Sequence, residues 1–406
     1  MPARPGRAVG LVALLFAVNG LANSVFAPFA PAILVERGIS PAWLGAIGAL
    51  VAVLYVGLAG VWGHLADVVL GRGRALALAF AIAAVLLVVF AAPLPLVAMG
   101  VAYVGFATVY GLLFPLQDAL AVNTLRDPGR QYGLVRGLQS GSFAAGSLAA
   151  GLAWQATGYG WAVPAFVVLA LPVMVVAWRI PDVSRARLSG AQRGGAIREA
   201  LAVAPRLPRA LLAIGLANVG VFALLTFLPL LIVRLGGASG DIGLAVGITA
   251  ALEVGMLPLA SRLLARVGPR PVVTVGVALM AVVFAWFALA PSPAHVIAAA
   301  VLYGVAWSAM WAGSVTTVRV LLPPELQGSG QALLSLTTAG IAALVANVGG
   351  GLLWSGPGPT AVFGIAAGCA AAGALVAWRS LPDGVAGAAG APGAEGAVAV
   401  TAAQAP

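Results

Sequence analysis

From residue 9 to residue 379 the chain returns to one pattern: an apolar run long enough to cross a bilayer, then a short segment holding arginine, glycine or proline. A spanning helix needs about 20 mainly apolar residues, set by a hydrocarbon layer about 30 Å thick. Twelve segments qualify, at 9–34, 42–66, 74–92, 96–124, 132–157, 161–180, 209–234, 240–265, 271–290, 293–318, 328–354 and 359–379. Hydrocarbon offers no partner to a bare peptide group, so each segment is expected to be helical. The composition agrees, with 62% hydrophobic and 8% charged residues against about 25% charged in a soluble domain. The expected fold class is an all-α, multi-pass integral membrane protein with twelve transmembrane helices.

The net charge of +10 could suggest a nucleic-acid partner. The basic residues are all arginine and fall between apolar runs, which fits orientation in a membrane better. With the N-terminus inside, Arg72, Arg74, Arg179, Arg262, Arg270, Arg319 and Arg379 are cytoplasmic, while Arg37 and Arg234 face outward. Both termini are therefore expected in the cytoplasm of a prokaryotic cell, with the chain in its plasma membrane. Arg4 and Arg7 before an apolar run resemble a signal peptide. That run passes Pro31 with Asn19 and Asn23 inside it, too long for a signal core, and reads as the first span. One cysteine, Cys369, and two histidines leave no ligand set for a metal site, and no cofactor is expected.

The first dense charge after the N-terminus is Gly63-His64-Leu65-Ala66-Asp67, followed by Gly71-Arg72-Gly73-Arg74. A weaker copy, Ser261-Arg262-Leu263-Leu264-Ala265-Arg266, stands 198 positions on. The same shift lays Phe29-Ala30-Pro31 on Phe227-Leu228-Pro229, so two matches at one offset argue for an internal duplication. Two membrane halves repeated in the same sense build the major facilitator fold. Gly-x-Leu-Ala-Asp with Gly-Arg-x-Arg resembles that superfamily's loop 2–3 signature, although the family places Gly three residues after the acid and Gly71 comes four after Asp67. The resemblance implies two six-helix halves, residues 1–180 and 209–380, joined by a cytoplasmic linker at 181–208. It also implies that Gly63, Asp67, Gly71, Arg72 and Arg74 form a conformational latch on a cytoplasmic helix end. His64 beside them reads as a tolerated interfacial residue. The linker, with Arg185, Arg187, Arg193 and Arg198, suits contact with anionic lipid. The tail at 381–406 is mostly Ala, Gly, Pro and Val and is expected to be disordered. Trp43, Trp154, Trp161 and Trp354 near outer span ends, with Trp178 and Trp378 near inner ones, suit interfacial anchoring.

Polar residues inside spans are expensive and therefore informative. Asn19 and Asn23 share a helix face, either for substrate or for a neighbouring helix. Gln117 and Asp118 in span 4 and Arg136 and Gln139 in span 5 follow, and Asp118 can pair with Arg136. Leu116-Gln117-Asp118-Ala119-Leu120-Ala121, with Tyr132-Gly133 and Arg136-Gly137 behind, resembles the phenylpropionate permease and nucleoside symporter branch. That branch carries an acid in span 8, matched by Glu253, and Leu257-Pro258 also fits the sugar-efflux branch. Glu253 lies near mid-span with no basic residue evident at its depth, so it is a candidate proton carrier or substrate anchor; its alternative is a structural hydrogen bond. Its equivalent in the first half is Tyr55. Trp307 and Trp311, four apart on span 10, can stack on an aromatic substrate or simply pack.

These residues point to a secondary active transporter moving a small organic solute, by proton-coupled symport. Proton-driven efflux of sugars or drugs is the alternative, and a non-transporting membrane sensor is the reading from another class. The chain offers no Gly-x-Ser-x-Gly or His-Glu-x-x-His, so an enzyme is not expected. Expected partners are the solute, protons and the lipid bilayer, with the chain acting as a monomer.

Overall fold

The structure, a computed structural model, describes residues 5–125, 128–180 and 190–382. The expected tail from 383 onward, the first part of the linker, Arg4 and Arg126 lie outside the described residues. The described residues are almost all helical: α1 (Pro5–Ser24), α2 (Ala30–Glu36), α3 (Pro41–His64), α4 (Arg72–Ala91), α5 (Leu96–Thr124), α6 (Pro128–Thr157), α7 (Ala162–Arg179), α8 (Gly190–Val203), α9 (Leu207–Arg234), α10 (Ser239–Val267), α11 (Pro269–Leu289), α12 (Pro293–Leu321), α13 (Gln327–Ser335), α14 (Ala343–Ser355) and α15 (Pro359–Ser380). Two π-helical segments, Leu65–Leu70 and Leu336–Ala342, continue α3 and join α13 to α14. The helix α8 within the linker is a feature that its Gly and Arg content did not signal.

Helix starts follow local chemistry. The Ser40 hydroxyl accepts from the Trp43 amide ahead of Pro41, and the Asp241 carboxylate accepts from the Ala238 amide at 2.8 Å. Both are N-terminal caps of the usual kind. Gly71 and Gly268 open α4 and α11 with φ of 82° and 79°, values that a side chain opposes. The duplicated motif therefore makes the same turn twice.

Among the described residues, ten helical stretches are long and apolar enough to cross a membrane. Two of the twelve expected segments are not among them, for different reasons. The first breaks at Val25–Phe29, where Pro28 brings no amide and α1 gives way to the short α2. The fifth forms one continuous helix, α6, but its polar residues hold its hydropathy down. Two tryptophans also depart from the anchoring expectation. Trp154 is buried and donates to the Val25 carbonyl at 3.0 Å, a group the break in the first segment leaves free. Trp354 is buried and stacks on Phe227 with centroids 5.5 Å apart.

Helices α1, α6 and α7 pack together, as do α4, α5 and α7; further on, α15 packs against α9 and α11, and α12 against α10 and α11. These groups meet along two seams, α6 against α10 and α3 against α14. Both seams are built from small residues at one end. A Cβ on Gly151 would stand 2.7 Å from the Ser239 carbonyl, and one on Gly45 would stand 2.8 Å from the Gly351 Cα. Such backbone approach requires glycine. Toward the other end the helices part. Val56 to Val61 on α3 are six consecutive exposed residues, enough to cover every face of a helix. The space between the seams is thus closed near residues 36–41 and 234–239 and open where α3 ends.

Candidate functional site

Between the seams lies a cavity of about 250 Å³. Arg136, Gln139 and Ser140 reach it from α6, Glu253 and Thr249 from α10, and Tyr303 and Trp307 from α12. Asn23 of α1 and the rings of Phe114, Phe143 and Phe287 complete the polar and aromatic lining. The size suits a small solute, and the apolar wall with a few convergent polar groups is the usual build of a small-molecule site.

The polar groups form one connected set. The Ser140 hydroxyl donates to Glu253 Oε2 at 3.2 Å, joining α6 to α10. Trp307 lines the cavity beside Glu253, and the Arg136 charge acts on the Glu253 carboxylate. Arg136 donates to Gln139 Oε1 at 2.9 Å and stands 3.7 Å from Asp118. The guanidinium is therefore paired with Asp118 on α5, and its charge is also felt by Glu253 on α10, with which it shares the cavity wall. With both acids ionised the trio carries net negative charge; one proton on either acid makes it neutral. A set of this kind can trade a proton against a change in ion pairing.

Glu253 is therefore less isolated than the sequence suggests. The nearest arginines in its own segment, Arg234 and Arg262, stand at the helix ends, whereas Arg136 arrives from another helix across the seam. Glu253, Arg136, Gln139, Asn23 and Trp307 line one cavity, whereas Asp118, Asn19, Gln117, Tyr55 and Trp311 are not among its lining residues. Asn19 and Gln117 are buried and hydrogen-bonded to each other, and Tyr110 donates to Asn19 Oδ1 at 3.3 Å. They tie α1 to α5 behind the cavity wall. Tyr55 stands over Gly111, whose Cβ would meet its ring at 3.4 Å. Trp311 stacks on Trp307 at 5.4 Å and 16°, and Tyr303 stacks on the other side of Trp307 at 6.4 Å and 25°. Cavity residues that the sequence did not single out include Thr249, Phe114, Phe143 and Phe287; nothing in their helical spacing separates them from core.

The motif at the end of α3 also takes a definite form. Arg72 Nε lies 2.7 Å from Asp67 Oδ1 with both side chains buried, and Arg72 donates to the Ala119 carbonyl of α5. The intervening residues are the π-helical turn Leu65–Leu70. A π turn holds one residue more than an α turn, which accommodates the extra residue between Asp67 and Gly71. Gly63 has open space where a Cβ would be, and Arg74 lies over the Trp178 ring. Among the described residues no group of three His, Cys, Asp or Glu side chains could hold a metal ion.

A sequence model of the MFS_1 like family matches residues 11–365. No curated protein matches the chain by sequence. Among solved structures, a point mutant of the nucleoside transporter NupG superposes with a TM-score of 0.76 at 16% identity, covering 92% of this chain and 100% of that one. The D-xylose-proton symporter gives 0.69 at 16% identity, covering 93% and 97%. A bacterial homolog of the human lysosomal transporter Spinster, in an inward-facing and unoccupied conformation, gives 0.65 at 15% identity, covering 94% and 96%. At these identities the likeness is one of fold.

Proposed function

The chain belongs to the MFS_1 like family, and from that membership we propose that it carries a small organic solute across a prokaryotic plasma membrane by proton-coupled symport. The solute would occupy the cavity between two six-helix halves, residues 1–180 and 209–380, which rock about the two seams. The 181–208 linker joins them, and the 381–406 tail follows the second. On this reading α1 with α2 is the first of twelve spans and α6 is the fifth. The arginine distribution favours cytoplasmic termini, and on that reading the open end of the cavity faces inward. The chain acts as a monomer, since each monomer contains a whole cavity.

One observation carries the reading: a carboxylate, Glu253, hydrogen-bonded across the seam by Ser140 inside the cavity. In that position a proton on Glu253 frees Arg136 and Ser140 to hold the solute, so that proton and solute occupy the cavity together, as symport requires. Glu253 is assigned the proton, Arg136 with Asp118 the compensating ion pair, and Gln139, Asn23 and Trp307 the solute. The substrate class follows from the lining: a flat or amphipathic organic molecule that stacks on Trp307 and hydrogen-bonds to amides. Proteins of similar fold include a nucleoside transporter and a D-xylose-proton symporter, which makes nucleosides and sugars rational members of a first panel.

The test is uptake into proteoliposomes of aromatic acids, nucleosides, sugars and cationic drugs, with and without a protonophore. Uptake of one class that collapses with the protonophore supports the proposal. Uptake that is indifferent to the protonophore, or no uptake of any class, counts against it.

A further inference from the structure

The two halves share a short motif outside the cavity. Val175-Val176-Ala177-Trp178-Arg179 ends α7, and Leu375-Val376-Ala377-Trp378-Arg379 lies at the end of α15, 200 positions on. Each tryptophan meets an arginine from the start of another helix. Arg74 lies 5.6 Å from the Trp178 ring centroid, and Arg270 lies 4.5 Å from that of Trp378. Glycine turns deliver both arginines: Gly71 precedes α4 and Gly268 precedes α11. At the first corner the chains touch closely, since a Cβ on Gly73 would stand 2.5 Å from the Ala177 carbonyl and 3.3 Å from that of Ile180. The backbone contact holds Arg74 and Arg179 at one corner of the fold.

These corners have the chemistry of a headgroup contact. Trp178 and Trp378 keep 61% and 55% of their surface exposed, so the guanidinium on each ring leaves the rest of the indole free. Arg74, Arg179 and Arg379 are exposed too, and among the described residues none of the three has an ion-pair partner. Asp67, near the start of α4, is already engaged by Arg72. An indole suits the boundary between acyl chains and headgroups, and a guanidinium held against it keeps its N–H edge for a phosphate oxygen. We propose that Arg74, Trp178 and Arg179 form a seat for the phosphate of an anionic phospholipid headgroup; the corner at Arg270, Trp378 and Arg379 repeats the layout, but there Arg270 has a further partner of its own. The seat sits where α7 leaves the bilayer, so lipid phosphate is within its reach, and its two basic groups favour an anionic over a zwitterionic lipid.

The experiment uses the full chain in phosphatidylcholine bilayers doped with brominated phosphatidylglycerol or brominated phosphatidylcholine at equal mole fraction. Trp178 fluorescence is taken as the difference between wild type and Trp178→Phe. Quenching by the brominated phosphatidylglycerol should exceed that by phosphatidylcholine by about fivefold. That bias should vanish in Arg74→Gln/Arg179→Gln and survive in Arg37→Gln. Should the double variant aggregate, Arg179→Gln alone, an exposed position, should reduce the bias. Equal quenching by the two lipids would overturn the proposal, leaving plain interfacial anchoring. A bias that survives both variants, or one abolished by inorganic phosphate in the buffer, would overturn it as well.

Discussion

Ser140 on α6 donates a hydrogen bond to Glu253 on α10, 3.2 Å across the seam. It stands close to where the seam loosens, because the nearest atom to a Cβ on Gly137 would be Val254 at 3.9 Å, while Gly243 and Gly151 further along are in backbone contact. Hydrogen bonds to charged groups contribute roughly 1.5–3 kcal/mol, less where water competes. Ser140→Ala should lower solute-driven transport about tenfold, with the chain still folded, and Ser140→Thr should restore much of it. Initial rates in proteoliposomes decide the point. Equal rates in all three proteins would remove Ser140 from the mechanism.

Asn19 and Gln117 should affect stability instead of solute selection. Their hydrogen bond is buried behind the wall, so Asn19→Ala leaves Gln117 and the Tyr110 hydroxyl short of a partner. An orphaned buried polar group costs about 1–3 kcal/mol. Thermal unfolding in detergent should shift downward, with KM unchanged in the surviving fraction. A large rise in KM without loss of stability would place Asn19 in contact with solute after all.

The stacked row on α12 separates two tryptophans. Trp307 lines the cavity, whereas Trp311, outside the lining, stacks on Trp307 from the next turn of α12. Trp307→Ala should raise KM for an aromatic solute strongly. Trp311→Ala removes one stacking partner, worth about 0.5–1.5 kcal/mol, and should raise KM by roughly two- to tenfold. A variant pair with the reverse order would contradict the placement.

The glycine seam bears on the conformational cycle. A side chain at Gly243 overlaps the Ser147 carbonyl on α6, and overpacking a close contact costs about 1–3 kcal/mol. Gly243→Val should therefore favour a conformer with that end of the seam open. In a Cys369→Ser background, a single cysteine at Ala144 should react with a maleimide about fivefold faster or more in the Gly243→Val protein. Unchanged reactivity would show that the seam does not open there.

Much of this architecture was legible in the chain. Hydropathy marked the helices because lipid demands length and apolarity, and the repeat was readable from Leu65 with Leu263 and Phe29 with Phe227 at one offset of 198, the glycine turns at Gly71 and Gly268 falling one residue out of that register. The break after Ser24 was harder to see, because Pro28 lies inside an otherwise unbroken apolar run. Glu253 and Arg136 stood out as charges in apolar runs, but their meeting across α6 and α10 depends on packing that no spacing records. The motif at Asp67 shows a subtler limit. Its extra residue reads as a departure in sequence, whereas in three dimensions a π turn takes it up and the Asp67–Arg72 pair forms at 2.7 Å.

The most direct test of proton coupling at Glu253 is charge movement in proteoliposomes on a solid-supported membrane, with an imposed pH gradient, for wild type and Glu253→Gln. Coupling at that carboxyl predicts a current that follows one class of solute and grows with the inward proton gradient. In Glu253→Gln that current should be lost, with solute binding still detectable. A variant that carries the same current with the same dependence on the gradient would contradict the assignment and leave Glu253 as a hydrogen-bonding partner of Ser140 alone.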